Sequence, residues 1–150
     1  MVKHFLTYVM TLFCLSVLSQ NNDVAKKSKI EILSADELIY NQEVGRYQLC
    51  RGNVRFKQGS MLMDCDSARF YEDVNKIEAF GDIYIRQRDT LYLWGKYLEY
   101  DGDTRLAKVS KDVSLTDGKM TLTTDQLNYN MVDKVGFYTT GGKIVNGEDR

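Results

Sequence analysis

Apolar residues alternate with polar ones over short runs through most of this chain, and the alternation recurs. Val54 and Phe56 have Ile83 and Ile85, then Val113 and Leu115, as counterparts downstream. After an intervening turn, Met61 and Met63 are matched by Leu91 and Leu93, then by Met120 and Leu122. A period of two, bounded by Asp-Gly and Asn-Gly turns, predicts strands with one face buried. No 3.6-residue period is sustained after residue 37, so helices are not expected there. Residues 34–38 (SADEL) have the composition of a helical turn, but aligned with their counterparts they read as strand.

The alternation sits inside a longer period. Gly52-Asn53-Val54 returns as Gly81-Asp82-Ile83, Lys111-Asp112-Val113 and Gly142-Lys143-Ile144, at steps of 29, 30 and 31 residues. Leu38-x-Tyr40 returns as Ala68-x-Phe70, Leu98-x-Tyr100 and Leu127-x-Tyr129, at steps of 30, 30 and 29. The turns Gln58-Gly59, Arg88-Asp89, Asp117-Gly118 and Asn146-Gly147 keep the same beat. Three landmarks in one period define a repeat of strand, turn, strand, bend and strand. The second strand changes parity near Asp66, Lys96 and Asp125, because Met63 is inward at an odd position and Ala68 at an even one. A bend or bulge there keeps both inside.

One such unit cannot bury its own apolar face, and stacking successive units can. The expected product is an elongated all-β structure, either two sheets face to face or a wide β-solenoid. Unit four stops at Arg150, just after its turn and before its second strand. Solenoids usually end in polar capping units. The expectation is therefore either a fragment of a longer chain or a bare strand edge that meets another protein by strand addition.

The first residues differ from the rest. Lys3 and His4 precede an apolar run over 5–18 (FLTYVMTLFCLSVL), and Val17 and Ser19 offer small residues for cleavage after 19. That is the layout of a signal peptide over 1–19. The run is short for a membrane span, which makes an uncleaved anchor the lesser alternative. Phe13 is too bulky to precede a lipidated Cys14. Residues 20–29 are polar and read as a flexible lead-in, leaving one domain over 30–150 with an incomplete last repeat.

Composition narrows the chemistry. The chain has 150 residues, 20 basic and 21 acidic, a balance unlike that of a nucleic-acid binder working by phosphate neutralisation. The only histidine is His4, inside the segment expected to be removed. That excludes His-dependent nucleophile centres and His-ligated metals from the mature chain. Carboxylates such as Asp64, Asp66, Glu72 and Asp73 recur at repeat positions, as turn and corner residues do. No catalytic residue, metal or cofactor is expected. Export leaves Cys50 and Cys65, which allow one disulfide or a buried free pair. Arg55, Lys57, Arg69, Arg86 and Arg88 are read as a solvated outer face with opposite charges across from one another, the alternative being phosphate contacts at a groove mouth.

The order and spacing of these elements resemble the OstA family of lipopolysaccharide-transport proteins of Gram-negative envelopes. The resemblance is carried by Gly52-Asn53-Val54 and Gly81-Asp82-Ile83. Each is followed by a turn, an apolar strand and an Asp-x-[AL]-x-[FY] step such as Asp66-Ser67-Ala68-Arg69-Phe70 and Asp125-Gln126-Leu127-Asn128-Tyr129. It covers about residues 30–150, and it weakens in unit three, where Lys111 stands for glycine and Lys96 for aspartate. It implies an open β-jellyroll of stacked antiparallel strands in the periplasm. Such a fold holds lipopolysaccharide acyl chains inside, docks end to end with other jellyroll-domain transport proteins and leads to the outer-membrane translocon. The inward set is then a groove lining: Val54, Phe56, Met61, Met63, Phe70, Ile83, Ile85, Leu91, Leu93, Leu98, Tyr100, Val113, Leu115, Met120, Leu122, Leu127 and Tyr129. Methionines among aromatics suit occupants of variable shape. The competing reading is a dry core in a structural or assembly domain of a larger outer-membrane biogenesis protein.

Overall fold

The computed structural model describes residues 28–41 and 46–147. The expected signal peptide and most of the lead-in lie outside the described residues. Strands form where the alternation predicts them: β1 (Glu31–Ser34), β2 (Glu37–Asn41), β3 (Tyr47–Gln58), β4 (Met61–Tyr71), β5 (Lys76–Gln87), β6 (Leu91–Asp101), β7 (Leu106–Thr116), β8 (Met120–Asn130), β9 (Val135–Phe137) and β10 (Gly142–Asn146). A 3-10 turn, Glu72–Val74, joins β4 to β5. The SADEL segment is the end of β1, a bend and the start of β2. Strand, bend and strand of the expected unit are in fact one long strand of 11 or 12 residues that runs through its bend.

All ten strands join one antiparallel sheet in the order β1-β3-β4-β5-β6-β7-β8-β10. β1 and β2 divide the length of β3 between them, and β9 and β10 divide that of β8. The long strands fold over at mid-length. Phe70 pairs with Gln48, eight residues from Phe56 on β3. Eight residues of straight strand span about 26 Å, yet the Phe56 and Phe70 rings meet at 5.7 Å. The sheet is therefore creased into two facing halves, with the apolar interior between them. One half holds the segment after the bend in β3 and before it in β4; the other holds the remaining ends.

The crease has a local cause. Every long pair shifts register at mid-strand, between Arg51 and Val54, Asp64 and Ser67, Phe80 and Ile83, Trp94 and Tyr97, and Ser110 and Val113. Gly52 and Gly81 sit at these points with φ of +69° and +95°, a region open to glycine and costly for most residues. Each is covered by an aspartate, Asp36 from the bend between β1 and β2 and Asp66 from β4. A Cβ on Gly52 would come within 3.0 Å of Asp36 Cγ, and one on Gly81 within 2.5 Å of Asp66 Cγ. Asp66 also accepts a hydrogen bond from the Asp82 amide at 2.9 Å, and Asp36 accepts one from Asn53 Nδ2 at 2.8 Å. At Gly52 and Gly81 the recurrent glycine and the recurrent aspartate are thus two sides of one contact, whereas Gly142 approaches Tyr138 and Leu122 instead. That contact explains why unit three departs at both places together. Lys96 in place of the aspartate points to Asp82, and Lys111, still at φ +67°, keeps a side chain.

Of the five cations expected on a charge-paired outer face, Arg55 and Arg69 have ion-pair partners and Lys57 lies opposite Glu31, whereas Arg86 lies between Leu62 and Tyr92 and Arg88 sits in the turn after β5. Arg69 meets Glu78 at 2.9 Å, Lys76 meets Asp101 at 3.1 Å, and Arg55 and Asp64 pair in register. Tyr84, Tyr92 and Trp94 stack there as a cross-strand aromatic group.

Candidate functional site

The interior is organised as rows that run along the stack, across the strands. In one half the row is Ile32, Phe56, Met63, Ile85, Leu93, Leu115, Leu122 and Ile144, each paired in register with the next. In the other it is Tyr40, Gln48, Phe70, Ile77, Tyr100, Ala107 and Tyr129. Eight strands spaced by about 4.8 Å give a row about 34 Å long. Within these two rows the interruptions to hydrocarbon are Gln48, the phenol oxygens and the Met63 sulfur.

Sixteen of the seventeen expected lining residues are buried or half-buried on the inward face. Met120 is the exception and a correction. It has the inward parity of Leu122 but is 51% exposed. It pairs with Asn146 of β10, all of whose residues are exposed, so the cover supplied by the facing half has run out there. The same happens at the other end, where Leu38 and Tyr40 of β2 have inward parity and are exposed. Each row is covered in the middle and bare at one end, the first at Ile144 and the second at Tyr40, whereas Ile32 is half-buried and Tyr129 buried. Ile77, Ala79, Ala107 and Val109 were missed, although they recur at a step of 30 and continue the parity of Ile83 and Val113 back across the bend.

Cys50 and Cys65 are both buried and both free. The expected option of a disulfide is not realised: register sets Cys50 opposite Ala68 and Cys65 opposite Val54, on either side of the bulge. Burial pushes the Cys50 thiol up to about 11 and, with help from neighbouring Cys50 and two aspartates, the Cys65 thiol up to about 12. These are inert packing thiols.

The free tips of the two halves meet along a seam. At its N-terminal part the seam is stitched shut. Gln58, fully buried at the end of β3, accepts a hydrogen bond from Tyr100 Oη at 2.6 Å. Its amide donates to the Gly102 carbonyl at 2.7 Å and to the Ser28 carbonyl at 2.6 Å. Ile30 donates its amide to Asn75 Oδ1 at 2.9 Å, and Arg105 donates to Ser28 Oγ at 2.6 Å. Ser28–Ile30 is therefore a strap across the seam. Ser28 and Lys29, expected in the flexible lead-in, belong to the fold. Gln58 was legible as a polar residue at inward parity after Val54 and Phe56; its partners were not. Desolvation holds the Tyr100 phenol at about 12.

Farther along, the seam opens into a cavity of about 760 Å³. Its wall includes Leu91, Tyr129, Met131 and Val132, and its rim Arg88, Arg105, Lys119 and Lys134. Among the described residues no group of three or more His, Cys, Asp or Glu side chains is placed to hold a metal ion.

The sequence of residues 27–150 matches the family of OstA-like proteins. The chain belongs to that family. No curated protein matches this OstA-like chain. Among solved structures it is similar to LptH of Pseudomonas aeruginosa, described as the LptA-homologous periplasmic component of that organism's lipopolysaccharide transport device. The TM-score is 0.68 at 14% identity, over 79% of this chain and 95% of LptH. The fold is thus the open antiparallel β-jellyroll of that structure, as the resemblance implied.

Proposed function

We propose that this OstA-like protein is a non-catalytic periplasmic bridge component that carries lipopolysaccharide by its acyl chains toward the outer membrane. The observation that carries the reading is the pair of apolar rows, continuous across the strands, one bare at its Ile144 end and the other at its Tyr40 end. Each methylene taken out of water gains about 0.8 kcal/mol, so a chain of about ten gains on the order of 8 kcal/mol. Contacts that repeat every strand and carry no direction let a chain slide where a single deep pocket would hold it. The two ends of the stack are unlike, β1 and β2 at one and β9 and β10 at the other. Docking between unlike ends is heterologous and extends the rows from one molecule to the next. Phe56 and Phe70 touch across the interior, so a passing chain must part the halves. The alternative occupant is none, with the same rows serving as the dry core of an assembly domain.

Site-specific photo-crosslinking in a Gram-negative host tests this. A photoreactive residue replaces Phe56 or Tyr100, both buried, with exposed Arg55 and Glu99 as outward controls. Lipopolysaccharide adducts from the inward pair alone are expected. Stable, exported variants that give no adduct at either inward position would establish the dry core.

A further inference from the structure

We infer that the outside of the crease carries a binding site for a neutral glycan, a β-linked chain of pyranose rings that stacks on Tyr84 and Trp94 and is held at its hydroxyls by Asp82, Lys96 and Asp112. The inference goes beyond the lipid-carrying reading and does not rest on it. The crease is the closed edge of the folded sheet, half a strand length, about 17 Å, from the tips that form the seam. The first support is a comparison of equivalent places along that edge. Among the described residues three shallow depressions follow one another there, each lined by an outward cross-strand pair. The pair is Arg55 with Asp64 in the first, Tyr84 with Trp94 in the second and Ser114 with Thr123 in the third. The first pair is an ion pair and satisfies itself. The second is aromatic and lines a volume of about 410 Å³. It lies where the repeat breaks. Units one and two fill the crease with an aspartate laid over a glycine. Here Lys96 stands for that aspartate and Lys111 for that glycine, and Lys96 turns to Asp82 instead.

The second support is the state of the aromatic rings. The other half of the outer face has aromatic residues too, and their faces and polar atoms are taken. The Arg69 guanidinium lies over the Tyr47 and Phe80 rings at 5.7 and 5.3 Å, and Tyr97 Oη donates to Glu78 at 2.9 Å. Among the described residues no cation lies over Tyr84, Tyr92 or Trp94, and their phenol oxygens and indole N–H make no hydrogen bond to the protein. Trp94 packs on Tyr84 at 5.4 Å and on Tyr92 at 6.2 Å, yet is 38% exposed. Three such partly covered rings present less than about 300 Å². That is far below the roughly 800 Å² per partner of a stable protein interface and suits a short stretch of sugar. The third support is the rim. The Asp82 carboxylate paired with Lys96 is 78% exposed, and Asp112 has no hydrogen-bond or ion-pair partner among the described residues. An ammonium and a carboxylate that share one contact keep donors and acceptors to spare. A pyranose ring offers C–H groups on its faces and hydroxyls at its edge, the first for the aromatic wall and the second for the rim. Two carboxylates beside one ammonium disfavour an anion, and a purely apolar occupant would leave the rim unused. A β-linkage keeps successive rings extended, which suits a shallow site.

Trp94 is the single tryptophan of the chain, so its emission reports on this site. The full mature chain is titrated with two lipid-free probes, the β-1,4-linked tetramers of N-acetylglucosamine and of glucose, with the α-1,4-linked glucose tetramer as control. Calorimetry runs in parallel. The expected result is a blue shift of emission and a Kd of about 1 mM or tighter for a β-linked probe, with roughly tenfold weaker binding of the α-linked one. Trp94→Ala, shown to be folded by its circular dichroism and melting temperature, loses the calorimetric signal. Asp112→Asn, whose exposed side chain has no partner to lose, weakens binding about fivefold. Arg55→Ala, at the equivalent depression of the preceding unit, leaves it unchanged. No binding of either β-linked probe at ten times that concentration overturns the site. Binding retained in both Trp94→Ala and Asp112→Asn places the sugar elsewhere and also overturns it. A wild type that binds neither probe and self-associates through Trp94 in sedimentation makes the rings a protein interface and overturns it as well. The Phe56 adducts test the lipid-carrying reading separately, since these probes carry no acyl chain.

Discussion

Substituting Gly81 by alanine tests whether the crease is made by the glycine–aspartate contact or by backbone conformation alone. Gly81 has φ +95° and Gly118 has φ +89°, so alanine costs a similar backbone penalty at both, about 1–2 kcal/mol. Their surroundings differ. A Cβ at Gly118 meets nothing within 4 Å, whereas one at Gly81 lies 2.5 Å from Asp66 Cγ. Relieving that overlap means moving a carboxylate that holds the Asp82 amide, and overpacking of this kind adds about 1–3 kcal/mol. The expected losses are about 1–2 kcal/mol for Gly118→Ala and about 2–5 kcal/mol for Gly81→Ala. A domain of this size has about 6–18 kcal/mol in all, so both variants fold. Equilibrium urea denaturation of the two single variants, of Asp66→Gly and of Asp66→Gly/Gly81→Ala measures the coupling directly. In the Asp66→Gly background, which also removes the Cβ that lies 2.6 Å from the new methyl, the cost at Gly81 should fall to that at Gly118, a coupling of about 1–3 kcal/mol. Equal losses at the two glycines, or additivity of the Asp66 and Gly81 changes, would refute the contact as the cause of the crease.

Two further outcomes follow from the interior. Gln58→Leu strands the Tyr100 hydroxyl and the Gly102 and Ser28 carbonyls, and it should cost about 2–4 kcal/mol at roughly 1–3 kcal/mol per unmet group after relaxation. Hydrogen exchange should locate part of the effect at the Ile30 amide, and unchanged protection there would mean that the strap does not depend on Gln58. Stability should also fall at alkaline pH. Cys50, Cys65 and Tyr100 have folded values of about 11, 12 and 12, raised from 9.0, 9.0 and 10.0 by burial. Raised values mean the unfolded chain loses its protons first, so this contribution is whole below pH 9 and disappears as pH climbs through 9 to 12. Denaturation from pH 7 upward should show the decline, and Cys65→Ala should flatten its early part. A wild-type curve level to pH 11 would contradict the burial of these groups.

The repeat, the strand parity and the bend near Asp66, Lys96 and Asp125 were legible in the chain, because period two and period thirty are written in single residues and their spacing. Burial of Phe56, Leu93 and Tyr100 followed from parity alone. What parity does not carry is distance from an end. Met120 and Leu122 share a face, but cover depends on whether a facing half reaches them, and only the folded sheet shows where that cover stops. The pairing of Asp66 with Gly81 was visible as two recurring letters and became one contact only when register placed adjacent strands side by side. The seam is the clearest case. Gln58 and Gln87 look alike in sequence, and so do Tyr100 and Tyr129. Which Tyr–Gln link closes is decided by side chains more than forty residues apart meeting across the interior. Local spacing therefore determined the strands and their inward faces, while the closed strap and the open cavity came from contacts between tips that no short-range pattern brings together.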